Sequence, residues 1–111
     1  MGMKEVKNVL ITALVDDKKK LVYYYSDGNK GTRDFKNIAG IKSTATIAGY
    51  WKDWYRLGLV EMINVKGGER ARKLFNLEDF GIQIPNLIIE TDLSPPEQEK
   101  KEVDNNDGQN Q

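Results

Sequence analysis

The chain has 111 residues, 17 Lys/Arg against 17 Asp/Glu, and neither cysteine nor histidine. Without cysteine there are no disulfides or thiolate metal sites, and without histidine the commonest metal ligand and the usual neutral-pH general base are missing, so no enzyme and no cofactor are expected. No apolar run approaches bilayer-spanning length and the start MGMKEVKN lacks a signal-peptide pattern, which predicts a cytoplasmic protein with no membrane partner.

Zero net charge conceals an asymmetry. Residues 1–89 carry 15 Lys/Arg and 10 Asp/Glu, a net of +5, whereas residues 90–111 carry 2 and 7, a net of −5. The chain therefore reads as one small domain, residues 1–90, followed by an acidic tail, residues 91–111. Ser-Pro-Pro, Glu, Lys, Gln, Asn and Asp in that tail offer too little apolar surface to offset ordering entropy, so disorder is predicted. Its charge either keeps the protein soluble or competes with anionic partners for the basic surface.

Val6, Val9, Leu10, Ala13 and Leu14 recur at helical spacing and predict a helix over Met3–Val15. That apolar face has no evident partner in so short a chain, which argues for a homodimer. Asp16 and Asp17 are placed to cap a second helix, KKKLVYYY, with Gly28 ending it. Tyr23, Tyr24 and Tyr25 cannot share one face at about 3.6 residues per turn. One or two should be exposed, as scattered surface aromatics or as part of a subunit interface.

From Thr32 to Val60 the pattern is two helices joined by a tight turn. Phe35, Ile38 and Ala39 stripe the first, and Gly40 breaks it. Ser43 is a good N-cap for the second, whose stripe is Ile47, Tyr50, Trp51, Trp54 and Leu57, and Gly58 stops it. Rings repeating at helical spacing point to core packing over a stacking platform for single-stranded nucleic acid. Lys52, Asp53 and Arg56 occupy the outer face.

Glu61–Lys66 and Glu69–Phe75 are strand-like and separated by Gly67-Gly68, which suits a tight hairpin turn. Lys66, Arg70, Arg72 and Lys73 lie close to its tip with Glu69 opposing them, either to contact phosphates or to guard the sheet edge. Leu77–Gly81 resembles a single helical turn; Ile82, Ile84 and Pro85 run extended and Leu87–Ile89 continue the apolar run. The acid pairs Asp16-Asp17 and Glu78-Asp79 suit helix starts better than a metal site. The fold class is mainly α with a small β-hairpin (α+β).

Several marks occur in order: a Gly after a Tyr-rich helix (YYYSDGNKGT), an Ile-Ala-Gly turn, a Ser/Thr-rich start to the next helix, and a closing Leu-Gly-Leu-Val. By these marks the chain resembles the winged helix-turn-helix regulators of archaea and bacteria, of MarR-like and ArsR-like type. With the hairpin as wing, the resemblance covers roughly three quarters of the chain. The turn is about one residue longer than the commonest form, so base-reading positions do not transfer one by one.

The resemblance implies a transcription regulator that binds double-stranded DNA with the Ser43 helix in the major groove. Lys42 and Ser43 would then reach phosphates, and Thr44 a base edge or thymine methyl. Ala45, Ala48 and Gly49 would permit close approach, with Lys52 beyond them, and the wing residues Lys66, Gly67, Gly68, Arg70, Arg72 and Lys73 would touch the backbone. No side chain on this helix face offers a bidentate donor, so direct readout should be weak. The alternative is a winged helix used for protein interaction, or an accessory domain, without direct DNA binding. Small residues also suit packing against another protein helix.

Overall fold

The computed structural model describes residues 2–86. The apolar run at 87–89 and the acidic segment 91–111 lie outside the described residues.

Helix α1 spans Met3–Ala13 and opens with the Glu5 carboxylate accepting from the Gly2 N–H at 2.8 Å. Its apolar face does have a partner. Val6, Leu10 and Leu14 are buried in the chain's own core, with Val9 and Ala13 packed at the margin, which removes the premise of an unpaired face. Helix α2, Asp17–Tyr24, is capped by Asp16, whose Oδ1 accepts from the Lys19 N–H at 2.8 Å. It buries Leu21, Val22 and Tyr23.

α2 ends several residues before Gly28. Residues 26–28 leave the helix to run beside the hairpin: the Gly28 N–H donates to the Ala71 carbonyl at 3.1 Å and the Lys73 N–H to the Ser26 carbonyl at 2.8 Å. Gly28 has φ +88, a left-handed conformation that favours glycine, while a Cβ there would meet only the movable tip of the Ile63 side chain, Cδ1, at 2.9 Å. Neither remaining tyrosine is fully exposed. Tyr24 and Tyr25 are half-buried in an edge-to-face pair at 4.9 Å, with the Lys73 and Lys30 ammonium groups over their respective rings.

A 3-10 turn, Thr32–Asp34, leads into α3, Phe35–Ala39, which Gly40 closes in the left-handed conformation at φ 69. Helix α4, Thr44–Arg56, begins with the Ser43 Oγ accepting from the Thr46 N–H at 3.2 Å. Ile47, Trp51 and Trp54 face inward and Tyr50 is half-buried. Leu57 departs from the expected stripe, being 47% exposed. The helix has ended by then, and the turn at Gly58 delivers Leu59 to the core in its place.

Strands β1, Val60–Val65, and β2, Gly68–Lys73, pair antiparallel with Val65 opposite Gly68 and Val60 opposite Lys73. The two-residue loop is therefore Lys66-Gly67, one position earlier than the glycine pair predicts. Gly68 is instead a strand residue. Lys73 sits at the far end of the hairpin from its tip. A second 3-10 turn, Leu77–Phe80, ends at Gly81 and inserts Leu77 into the core. Among the described residues four helices and a two-stranded antiparallel sheet make a mixed α+β fold, and no helix there is long and apolar enough to cross a membrane.

Two polar groups cross the core. The Tyr23 hydroxyl donates to the Leu59 carbonyl at 2.8 Å and accepts from the Phe75 N–H at 3.3 Å; burial pushes its pKa up to about 12. Ser26 Oγ donates to the Val22 carbonyl at 2.7 Å and accepts from the Trp51 indole N–H at 3.0 Å. Ser26→Ala strands that indole donor in an apolar interior and should cost about 1–3 kcal/mol in urea unfolding. In a Trp51→Phe background the same change should cost measurably less, because the stranded donor is gone.

Asp27 anchors the loop that follows. Burial pushes its carboxyl up, but the Lys30 ammonium, 2.7 Å away, and the Asn29 N–H outweigh that effect and hold it below the usual value. A carboxyl lowered in the folded state stabilises it above the unfolded pKa and ceases to do so as pH falls through the folded pKa. Asp27→Asn keeps the acceptor for Asn29 and removes the charge. The variant should melt below the parent at pH 7, and the gap should close as pH drops below about 3.9.

Candidate nucleic-acid interface

The amphipathic α4 buries one stripe and leaves the other open. Thr44, Ala45, Ala48, Gly49 and Lys52 are all exposed, as are Lys42 and Ser43 just before the helix, so the structure brings these seven sequence-predicted positions to one end and one side of α4. No helix of the described chain packs on the small residues. A Cβ built on Gly49 meets nothing within 4 Å, which leaves the helix backbone accessible there.

Between α4 and the hairpin runs a groove of about 810 Å³ that joins Ala48 and Lys52 to Gly68. Its other walls are Trp51, Tyr55, Met62, Thr32 and Glu69. Tyr55 is 58% exposed and was not among the predicted site residues. The signal was available: Thr44, Ala48, Lys52 and Tyr55 are spaced by four, four and three, a second helical stripe beside the buried one. Arg33 and Lys36 are also exposed, on the 3-10 turn and α3, where the single apolar stripe of a short segment marks only its buried side.

The hairpin cations do not form one free cluster. Arg72 is paired with Glu61 directly across the strands, its Nε donating to Oε2 at 2.6 Å. Arg70 donates to the Asn29 carbonyl at 2.6 Å, and its guanidinium lies against Gly31. Lys73 stands over the Tyr24 ring at 5.2 Å. Lys66 at the tip has none of these engagements and is exposed, with Gly67 and Gly68 open beside it. The spacing of Glu61 and Arg72 in sequence hides their pairing, which the hairpin register alone creates.

The carboxylates perform structural tasks. Asp16 caps α2, Asp34 accepts from the Gly31 N–H, and Asp53 pairs with Arg56 one turn along α4. Among the described residues no group of three such side chains converges to hold a metal ion. Comparison of the chain with protein-family models, with curated proteins and with solved structures finds no match.

Gly49 offers a separate test of the geometry. The open space around it and its unstrained backbone mean that Gly49→Ala should stabilise the domain by roughly 0.5–1 kcal/mol through helix propensity alone. Denaturant unfolding of the two proteins measures it; a loss of stability would show that this face is covered.

Proposed function

We propose that the chain is a winged helix-turn-helix protein that binds double-stranded DNA and acts as a cytoplasmic transcription regulator. One observation carries the reading: the uncovered small-residue face of α4, bounded by Lys42 and Lys52, with the hairpin beside it. The order of parts supports it further, since α2, the strand-like residues 26–28, α3, α4 and the hairpin follow one another as such a fold requires. The N-terminal half of α4 enters the major groove. Lys42 and Ser43 meet phosphates and Thr44 a base edge, while Ala45, Ala48 and Gly49 let the backbone approach.

Lys66 becomes the principal phosphate contact of the wing. Arg72 contributes after leaving Glu61, an exposed pair whose loss costs no more than about 1 kcal/mol. With no bidentate donor on the helix face, sequence preference comes mainly from DNA shape. A homodimer would have to form through apolar side chains that remain outside the core, Met3 on α1 among them. Half-sites would then lie about 34 Å apart.

The second reading, a protein-interaction module, is favoured by the same groove, whose walls Trp51, Tyr55 and Met62 are apolar. Fluorescence anisotropy with a random duplex at 50 and 200 mM salt separates the two. DNA binding predicts that Lys52→Ala and Lys66→Ala each lower the slope of log affinity against log salt by about 1, and that Arg72→Ala changes it less. Gly49→Ala should weaken binding while leaving the fold intact. No binding at the lower salt with tens of micromolar protein would leave the interaction module.

A further inference from the structure

Away from the α4 face, α1 and the start of α2 form one side of a groove of about 660 Å³, with residues 81–83 along the other. Its floor is apolar, including Ile11, Leu14, Val15 and Ile82, and its charged walls are Lys7 and Lys20, with no acid among its lining residues. Ile11 is 51% exposed and Val15 is 67% exposed. Large aliphatic side chains held this open on a small domain call for an occupant.

The chain itself supplies one. Gln83 lines the groove, the described residues end three positions later at Asn86, and the sequence continues Leu87-Ile88-Ile89-Glu90. Leu87 follows Gln83 by four residues, about 13 Å of extended chain, so the aliphatic trio begins close to the groove that Gln83 lines. The charges match as well: Glu90 and Asp92 follow the apolar trio, and the groove is walled by lysines.

We propose that Leu87–Glu90 docks in this groove, its aliphatic side chains over Ile11 and Val15 and its first carboxylate between Lys7 and Lys20. The docking sets where the acidic residues 90–107 leave the domain: beside α1 and α2. It is independent of whether α4 binds DNA.

The absence of cysteine makes a clean test possible. The full-length double variant Ile11→Cys/Ile88→Cys, oxidised at low protein concentration, should give an intrachain disulfide, seen as faster migration on a non-reducing gel and loss of both free thiols. An interchain disulfide would assign the groove to a second copy, and two freely reactive thiols would leave it empty; either overturns the proposal. In a second measurement, the thiol of full-length Val15→Cys should react at least tenfold faster when Leu87, Ile88 and Ile89 are all changed to Ser. Equal rates, with circular dichroism showing both proteins folded, would likewise overturn it.

Discussion

The hydroxyl of Tyr23 holds together three parts of the chain that are far apart in sequence. It donates to the carbonyl of Leu59, where α4 has just turned into β1, and accepts from the N–H of Phe75, just past β2. The Leu59 carbonyl also receives the Leu74 N–H at 3.0 Å, so one buried phenol and one carbonyl tie both ends of the hairpin to α2. A phenol taken from water must have such partners or destabilise the core. Because it has them, the hairpin's base is fixed, and the position of its tip beside α4 follows. The edge-to-face contact of Tyr23 with Trp54, at 5.5 Å, brings α4 into the same arrangement.

A second junction works one turn away. Ser26 links α2 to Trp51 of α4, and its own carbonyl receives the N–H of Lys73. Ser26 therefore belongs to the helical layer by side chain and, with Asp27 and Gly28, to the hairpin by backbone. The Arg70 guanidinium over Gly31 and its bond to Asn29 fasten the following loop to the same strand. This is why Arg70 is less free than its place in a basic stretch implies. A side chain that maintains the scaffold has less freedom to follow a ligand.

Much of the fold was legible because it depends on local rules. Asp16 and Ser43 cap helices as their side-chain oxygens dictate, Gly40 and Gly58 close them in left-handed conformations, and the Ile47, Trp51, Trp54 stripe faces inward. What was not legible depends on pairing between distant residues. The burial of Val6, Leu10 and Leu14 needed the rest of the core, and the Glu61–Arg72 pair needed the strand register. Leu57 and the hairpin loop were each missed by an element boundary: a helix stripe loses its meaning one residue past the helix, and a pair of glycines admits two turn positions. The candidate site was half visible for a related reason. Its α4 residues come from one helix, whereas Thr32, Met62 and Gly68 reach the groove only through tertiary structure.

The same division governs what the α4 face can do. Among the described residues three acids are paired with cations: Asp27 with Lys30, Asp53 with Arg56 and Glu61 with Arg72. Surface pairs of this kind add little stability, but they remove three cations from the long-range field. The excess positive charge then rests with residues such as Arg33, Lys36, Lys52 and Lys66, which are exposed on α3, α4 and the hairpin tip. On α4 itself, charge at Lys52 adjoins the uncharged surface of Ala48 and Gly49. A polyanion held through scattered lysines gains affinity that falls steeply with salt, while the bare helix between them adds fit without hydrogen-bonded readout. Under the proposed reading, a duplex at such a face is selected by how closely its groove admits the helix, and each side chain added to that surface should oppose binding by its volume as well as alter it by its chemistry.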